Sequence, residues 1–303
     1  MARVGPARSA RARLRAATRA ARRLAKGADD PEVLHDLRVA LRRLRSLLRL
    51  HPALLARGRH AHRRRLKRLA RATNAARDAD VMLALLGHYR AAAASGLGAV
   101  IAQQRTRAYE RVRAEVVPGL LALAPRLESA FQPSRPSALA VAEARRAAGE
   151  RAGELIERLT GQLAALSSPD DHSGVHAARI TGKRLRYLLE SWTAIEPDAA
   201  LAVKRLKRFQ DDSGALCDRY LLLDRAAAAV AAAVRRRALG PARGHPQDNA
   251  AAALAAAIGR DIARRHRALR RDYAMESSAW LRPMRRFTGR KPVATKRGEG
   301  ESR

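Results

Sequence analysis

Residues 35–48 read HDLRVALRRLRSLL, and the helical architecture of the whole chain can be inferred from them. Leucine recurs every three or four residues, which is the pattern of one buried face of an α-helix. These leucines are Leu34, Leu37, Leu41, Leu44 and Leu48. A second set, of basic residues and one histidine, lies one residue further along and is rotated by about 100° around the helix axis. We call it the first stripe, and its members are His35, Arg38, Arg42, Arg45 and Arg49.

The pattern returns 141 residues later, where residues 176–189 read HAARITGKRLRYLL and seven of fourteen positions are identical. The second stripe is His176, Arg179, Lys183 and Arg186. Glu190 stands at its fifth position. The predicted buried face of this helix consists of Ala178, Gly182, Leu185 and Leu189, with Trp192 beyond. Because Ala178 and Gly182 are small, we expect a neighbouring helix to approach closely here.

Two further pieces repeat at an offset of 140 residues. They are Leu66-Lys67-Arg68-Leu69 with Leu206-Lys207-Arg208-Phe209, and Arg77-Asp78 with Cys217-Asp218. A duplicated helical bundle is therefore predicted, with two related halves packed about a pseudo-twofold axis. A further line of basic residues, Arg64, Lys67 and Arg71, runs through the first copy of the segment at residues 66–69. The second copy keeps two of its three positions, Lys204 and Lys207. Asp211 stands where the second copy of Arg71 would be.

Composition indicates an all-α protein with a polyanionic partner. The 303 residues include 62 Lys+Arg against 28 Asp+Glu, for a formal net charge of +34. Hydrophobic residues make up 47% of the chain, which excludes a disordered polycation. Aromatic residues are only 3%, and the abundance of Ala, Leu and Arg favours helices throughout. So many positive side chains repel one another in a folded protein unless bound anions neutralise them, which indicates a polyanionic partner.

The like charge of the stripes favours a binding surface over an ordinary solvated face. Exposed helix faces normally mix signs, because like charges three or four residues apart destabilise a helix. The single Cys217 excludes an intrachain disulfide framework and a Cys-rich zinc site. The sequence contains no uncharged apolar stretch of about 18 residues, so no transmembrane helix is predicted. No apolar signal-peptide core follows the first residues either.

The chain is predicted to divide into a first bundle half at residues 1–131, a linker at 132–137, a second half at 138–288 and a disordered tail at 289–303. The expected helices include 57–74, 77–94, one ending at Val117 before Pro118, 138–166, 172–195, 198–213, 217–238 and 248–272. Residues 1–28 hold eight Arg and no acidic residue. They fit a mitochondrial transit peptide or the first basic helix of the domain, and we favour the helix. Gly27 is expected to end this helix, and the next one is expected to begin with Asp30 as N-cap and Pro31 at the first helical position.

These segments resemble the CHAD family, the helical domains named for their histidines. The resemblance covers about residues 8–287 and rests on three segments: His35-Asp36-Leu37-Arg38-Val39 through Arg45, Lys183-Arg184-Leu185-Arg186-Tyr187-Leu188-Leu189-Glu190, and Arg77-Asp78-Ala79-Asp80. It implies two antiparallel four-helix bundles around a basic central cavity. It also implies binding of inorganic polyphosphate and targeting to polyphosphate granules. The positions that match the family pattern are His35, Arg38, Arg42, Arg45, His176, Arg179, Lys183 and Arg186.

We therefore predict a cytoplasmic, non-catalytic polyphosphate-binding protein that uses both stripes and the basic lines, with no cofactor, metal or membrane partner. Nucleic-acid binding through the same basic surface is the alternative. Single-strand binders normally stack bases on aromatic side chains, and the stripes contain none.

An enzyme is disfavoured because no phosphate-binding glycine loop and no Glu-x-Glu-x-Lys segment exist. Asp78 and Asp80 do not form a catalytic carboxylate pair on a helix, since residues two apart do not face each other. We expect them to cap a helix instead.

Overall fold

The computed structural model describes residues 6–27, 29–51, 54–55, 58–132, 138–240, 246–274 and 279–289. Over these residues the protein is all-α and contains no β-strand, which confirms the predicted fold class. The helices are α1 (Pro6–Ala25), α2 (Pro31–Leu50), α3 (Arg59–Ala72), α4 (Asn74–Leu86), α5 (Leu97–Arg111), α6 (Val117–Ala130), α7 (Ala138–Ala164), α8 (His172–Leu189), α9 (Pro197–Leu239), α10 (Pro246–Tyr273) and α11 (Arg282–Phe287). The greater part of the predicted linker and tail, residues 133–137 and 290–303, lies outside the described residues.

The turn between α1 and α2 forms as its residue types predict. Gly27 follows the end of α1 with a φ of 92°, a left-handed conformation that favours glycine. Asp30 is the N-cap of α2, and its Oδ1 accepts hydrogen bonds from the backbone N–H groups of Glu32 and Val33 at 2.8 and 3.4 Å. Pro31 occupies the first helical position, where its missing N–H leaves no helical hydrogen bond unmade.

The prediction that a helix ends before Pro118 is wrong. A π-helical segment at Val112–Val116 joins α5 to α6, so the chain stays helical through this region. Pro118 therefore lies within continuous helix, at the start of α6 and directly after the π-helical segment. Pro125 lies further along the same helix.

The two helices predicted at 198–213 and 217–238 are one helix, α9, of 43 residues. The Oγ of Ser213 donates a hydrogen bond to the carbonyl oxygen of Phe209 one turn earlier, at 2.7 Å, so the serine bonds within the helix and does not cap a new one. The helix predicted at 77–94 is shorter than expected. It ends at Leu86, because Tyr89 is extended, and a 3-10 helix follows at Arg90–Ser95.

The chain forms two compact units, and each takes residues from two separate stretches. Unit 1 contains α1 to α6 together with Asp218–Ile262, which includes the second half of α9 and most of α10. Unit 2 contains α7, α8 and the part of α9 up to Cys217, together with the chain from Ala263 onward. Each unit therefore contains one copy of the repeated stripe.

The core of unit 1 holds α2 in place through its leucine row, as the spacing predicts. Leu34, Leu37, Leu41 and Leu44 have no exposed surface, and Leu48 is 1% exposed. Each buried leucine contributes about 2 kcal/mol of hydrophobic free energy. Helix α1 packs against α2 with a row of small side chains, among them the fully buried Ala10, Ala17 and Ala21. The orientation of the first stripe follows from the burial of this leucine row.

The core of unit 2 replaces leucine with a glycine at one contact. Ala178, Leu185 and Leu189 on α8 are fully buried, and Gly182 lies against the ring of Phe209 on α9. A Cβ added at Gly182 would lie 2.6 Å from Cε1 of that ring, so the predicted close approach is confirmed. The corresponding first-copy residues are Leu41 and Leu69, and both are buried.

Candidate anion-binding site

The first stripe lies along α2 beside the buried leucine row. His35 and Arg49, at its two ends, are exposed. Its three central arginines, Arg38, Arg42 and Arg45, are half-buried. The stripe is thus held by surrounding protein atoms in the middle and open to solvent at both ends.

Arg38 is oriented by the junction of α3 and α4. Its Nη1 donates hydrogen bonds to Thr73 Oγ1 at 2.6 Å and to Asn74 Oδ1 at 2.9 Å. Thr73 is fully buried and in turn donates its hydroxyl to the carbonyl oxygen of Ala70 at 2.8 Å. These bonds fix one edge of the guanidinium, and they bring the first stripe next to the helix that carries Arg71.

Arg38 has one carboxylate and two other arginines close enough to act on it electrostatically. Burial lowers the pKa of its guanidinium; Asp78 opposes this shift, while Arg77 and Arg42 lower the pKa further. An arginine pKa starts so high that the group stays protonated. The lowered value therefore indicates a half-buried positive charge that an approaching anion would stabilise.

Arg179 takes the corresponding place in unit 2. Its guanidinium lies against Gly214 of α9, where an added Cβ would be 2.9 Å from Nη2. The residues at this place, Ser213 and Gly214, correspond to Thr73 and Asn74 at the repeat offset of 140. The Arg179 Nε is buried and has no hydrogen-bond partner among the described residues. Two arginines of the repeat thus pack at equivalent points, one with side-chain acceptors and one against a glycine.

Arg186, the last basic residue of the second stripe, is held by three contacts within unit 2. Its Nε donates to Gln210 Oε1 at 3.0 Å, and its Nη1 forms a hydrogen-bonded ion pair with Glu190. Its guanidinium also lies 4.6 Å from the centre of the Tyr187 ring. The contact with Gln210 brings the second stripe next to the helix that carries Lys204 and Lys207.

The histidine that begins the second stripe lies at an open pocket of about 570 Å³ in unit 2. Asp170, His172, Ser173 and His176 line this pocket. Partial burial lowers the pKa of His176, and His172, Arg179 and Lys183 lower it further. Positive neighbours disfavour the imidazolium, so a bound anion would raise this pKa.

The additional basic lines are open to solvent in both units. Arg64, Lys67 and Arg71 on α3 are exposed, while Leu66 and Leu69 of the same helix are buried. Lys204 and Lys207 on α9 are exposed in the same way, with Leu206 and Phe209 buried beside them. Asp211 is also exposed, so the basic line of unit 2 ends in a carboxylate.

The expectation that Asp78 and Asp80 cap a helix is wrong, since the residue before α4 is Thr73. Asp80 is buried, and it accepts hydrogen bonds from Arg105 Nε at 2.7 Å and from the Tyr109 hydroxyl at 2.9 Å. This network joins α4 to α5, and it raises the pKa of Tyr109, through burial first and the bond to Asp80 second. No sequence spacing indicates it, because its members are 25 and 29 residues apart.

Two arginines near the first stripe were not predicted as site residues. Arg77 is half-buried and contributes to the lowered pKa of Arg38, and Arg225 of α9 acts electrostatically on Asp78. The repeat of Arg77-Asp78 at Cys217-Asp218 was the available signal for Arg77.

Within the described residues, no group of three or more His, Cys, Asp or Glu side chains could hold a metal ion. In the same part of the chain, no helix has the length and apolar character needed to cross a membrane.

Comparisons with known proteins agree with this architecture. The sequence model of the CHAD domain matches residues 8–227. The crystal structure of the CHAD domain from the plant Ricinus communis is 21% identical, and the alignment covers 95% of this chain and 92% of that chain with a TM-score of 0.51. PptA from Streptomyces chartreusis is 19% identical, with coverage of 88% and 95% and a TM-score of 0.55. No curated protein matches the sequence. Because the domain match spans well over half of the residues and includes both stripes and the contacts that orient Arg38, the chain belongs to the CHAD domain family.

Proposed function

We propose that this protein binds inorganic polyphosphate, without catalysing a reaction, through the two stripes and the basic lines beside them. The CHAD family is associated with polyphosphate-related proteins. The observation that carries the proposal is the repetition of one basic pattern at one register. In each unit, a stripe beside a buried row lies next to a helix with further exposed cations.

Polyphosphate fits this pattern chemically. The polymer carries roughly one negative charge per phosphate and has no bases to recognise. Arginine binds phosphate oxygens through two parallel N–H donors, and lysine supplies a compact charge. A flexible polyanion needs no fixed register, so spaced cations suffice. Orienting Arg38 and Arg179 before the ligand arrives reduces the conformational entropy lost on binding.

The proposal places the protein in the cytoplasm at polyphosphate granules, where its ligand is concentrated. Nucleic acid is the competing partner, because a net charge of +34 attracts any polyanion. The stripes provide no aromatic platform for stacking bases, which favours polyphosphate over single-stranded nucleic acid.

The test is a competition experiment over a series of salt concentrations. Labelled long-chain polyphosphate is bound to the protein and challenged with duplex DNA or single-stranded RNA at matched phosphate concentration. We expect polyphosphate to stay bound at about 0.15 M salt while the nucleic acids fail to displace it. Equal competition by DNA at every salt concentration would show a general polyanion binder and reject the proposal.

Matched variants test whether the stripes carry the binding. Arg38→Gln combined with Arg179→Gln removes one charge from each stripe. Arg13→Gln combined with Arg158→Gln removes two charges from exposed positions of α1 and α7. The stripe variant should bind at least about tenfold more weakly, since each charged hydrogen bond to phosphate contributes roughly 1.5–3 kcal/mol. Equal loss in both double variants would mean that only total charge matters.

A further inference from the structure

Glu190 is a carboxylate in a place that favours a cation. It directly follows α8 as the C-cap residue, and its backbone N–H bonds the carbonyl oxygen of Arg186. The C-terminus of a helix carries partial negative charge, so an acidic side chain is unfavourable there unless a cation neutralises it. The corresponding residue of the first copy is Arg49. The charge at this position is therefore reversed between the two copies.

The cation that neutralises Glu190 is Arg186, a member of the second stripe. The Arg186 side chain is 13% exposed and the Glu190 side chain 35% exposed, so their ion pair is partly shielded from water. Glu190 engages Nη1, one of the guanidinium donors that a phosphate oxygen would use. A phosphate oxygen that approaches this edge of the guanidinium must compete with the carboxylate for Nη1.

Three second-copy residues hold Arg186, and each differs in type from its first-copy counterpart. Gln210 accepts from Nε at 3.0 Å, Tyr187 lies under the guanidinium, and Glu190 pairs with Nη1. The residues at these positions in the first copy are Ala70, Ser46 and Arg49. The residue types that hold Arg186 are thus absent from the matched positions of the first copy, and only Glu190 among them carries charge.

We propose that Glu190 is an internal competitor for phosphate at Arg186, so that the second stripe binds polyphosphate more weakly than the first. This inference rests on the polyphosphate binding proposed above. Asp211, which replaces the basic residue at Arg71 of the first copy, acts in the same direction. The two units then differ in affinity although they share one pattern.

The test compares Glu190→Gln with a matched control, Glu150→Gln. Glu150 forms an ion pair with Arg146 at the same i,i+4 spacing, 3.2 Å long, but both side chains are exposed on α7, outside the stripes. Both variants raise the net charge by one. Polyphosphate affinity is measured for each over a series of salt concentrations, and each variant's melting temperature checks that it is folded.

Release of Arg186 should add about one phosphate contact. We expect the log–log slope of affinity against salt to steepen by about 0.7–0.9 in Glu190→Gln. Affinity at about 0.15 M salt should rise roughly three- to tenfold. Glu150→Gln should leave the slope at its wild-type value.

A double-mutant cycle separates competition from a general effect of charge. In an Arg186→Gln background, Glu190→Gln should change affinity no more than Glu150→Gln does, because the contested donor is gone. A second route avoids any folding defect at position 190. Arg49→Glu in the first stripe should reduce the salt slope by more than Arg49→Gln, since the new carboxylate can compete at Arg45.

Identical slopes for Glu190→Gln and Glu150→Gln would overturn the inference while leaving polyphosphate binding intact. The same holds if the effect of Glu190→Gln persists undiminished without Arg186. Failure of the wild-type protein to retain polyphosphate in the competition experiment would overturn both the proposed function and this inference.

Discussion

Gly182→Ala should destabilise the protein even though alanine is the better helix former. A Cβ at this position would lie 2.6 Å from Cε1 and 2.8 Å from Cδ1 of Phe209. The Phe209 ring cannot easily move aside. The Trp280 ring stacks on it with centroids 5.7 Å apart, and the Tyr273 ring meets it edge-on at 5.1 Å. The added methyl group must therefore displace α8 or the whole aromatic cluster.

Two opposing terms set the size of the effect. Replacing glycine by alanine inside a helix gains about 1 kcal/mol through backbone entropy and helix propensity. Overpacking a well-packed core costs about 1–3 kcal/mol, and both distances here are shorter than any relaxed contact. We expect a net loss of about 1 kcal/mol in the free energy of unfolding.

The matched control is Gly161→Ala on α7 in the same unit. An added Cβ at Gly161 would have no atom within 4 Å, so only the favourable term applies. Urea denaturation should show Gly161→Ala as the more stable variant by about 2 kcal/mol. In thermal unfolding this is a difference of roughly 4–8 °C, at 2–4 °C per kcal/mol.

Equal stability of the two alanine variants would refute the close contact between α8 and Phe209. A second-site change gives an independent check. Phe209→Leu introduces the residue found at Leu69 in the first copy and should restore part of the stability lost in Gly182→Ala. No recovery in the double variant would also contradict the packing argument.

Two further predictions concern pH and the buried network. Since bound phosphate should raise the lowered pKa of His176, binding takes up a proton and polyphosphate affinity should rise about two- to fivefold as pH falls from about 8 to 6. His176→Gln should lose this part of the pH dependence in a binding titration, and an unchanged pH profile would contradict the assignment. Asp80→Asn removes the carboxylate that lies 2.7 Å from Arg105 Nε and leaves Arg105 only the more distant carboxylate of Asp29, at 3.9 Å, so urea denaturation should show a loss of about 1–3 kcal/mol. The exposed Asp36→Asn serves as the control, and a loss no larger than in this control would mean that the network does not stabilise the unit.

Local spacing was sufficient to predict α2, its cap and the side chains that it buries. The leucine row repeats at helical spacing, so the burial of Leu34 to Leu48 follows from periodicity alone. The cap at Asp30 needs only residues within one turn. The two stripes could be recognised in the same way, because their register is measured against the buried row on the same helix.

Three features that depend on neighbouring helices were not predicted. Helix α9 continues through Gly214, and the guanidinium of Arg179 packs against this glycine. The widened turn at Val112–Val116 and the burial of Asp80 likewise depend on surrounding helices. Propensity is a weak local preference of less than about 1 kcal/mol per residue, and tertiary packing readily outweighs it.

The same division applies to the candidate site. The repeat in the amino-acid sequence establishes which residues form the two stripes, since identity and spacing are properties of the linear chain. The acceptors at Thr73 and Asn74 for Arg38, and at Gln210 for Arg186, come from residues that are 24 to 36 positions away. Only folding brings such groups within hydrogen-bond distance. The tertiary structure therefore distinguishes Arg38, which is hydrogen-bonded to neutral side chains, from Arg186, which forms an ion pair with a carboxylate.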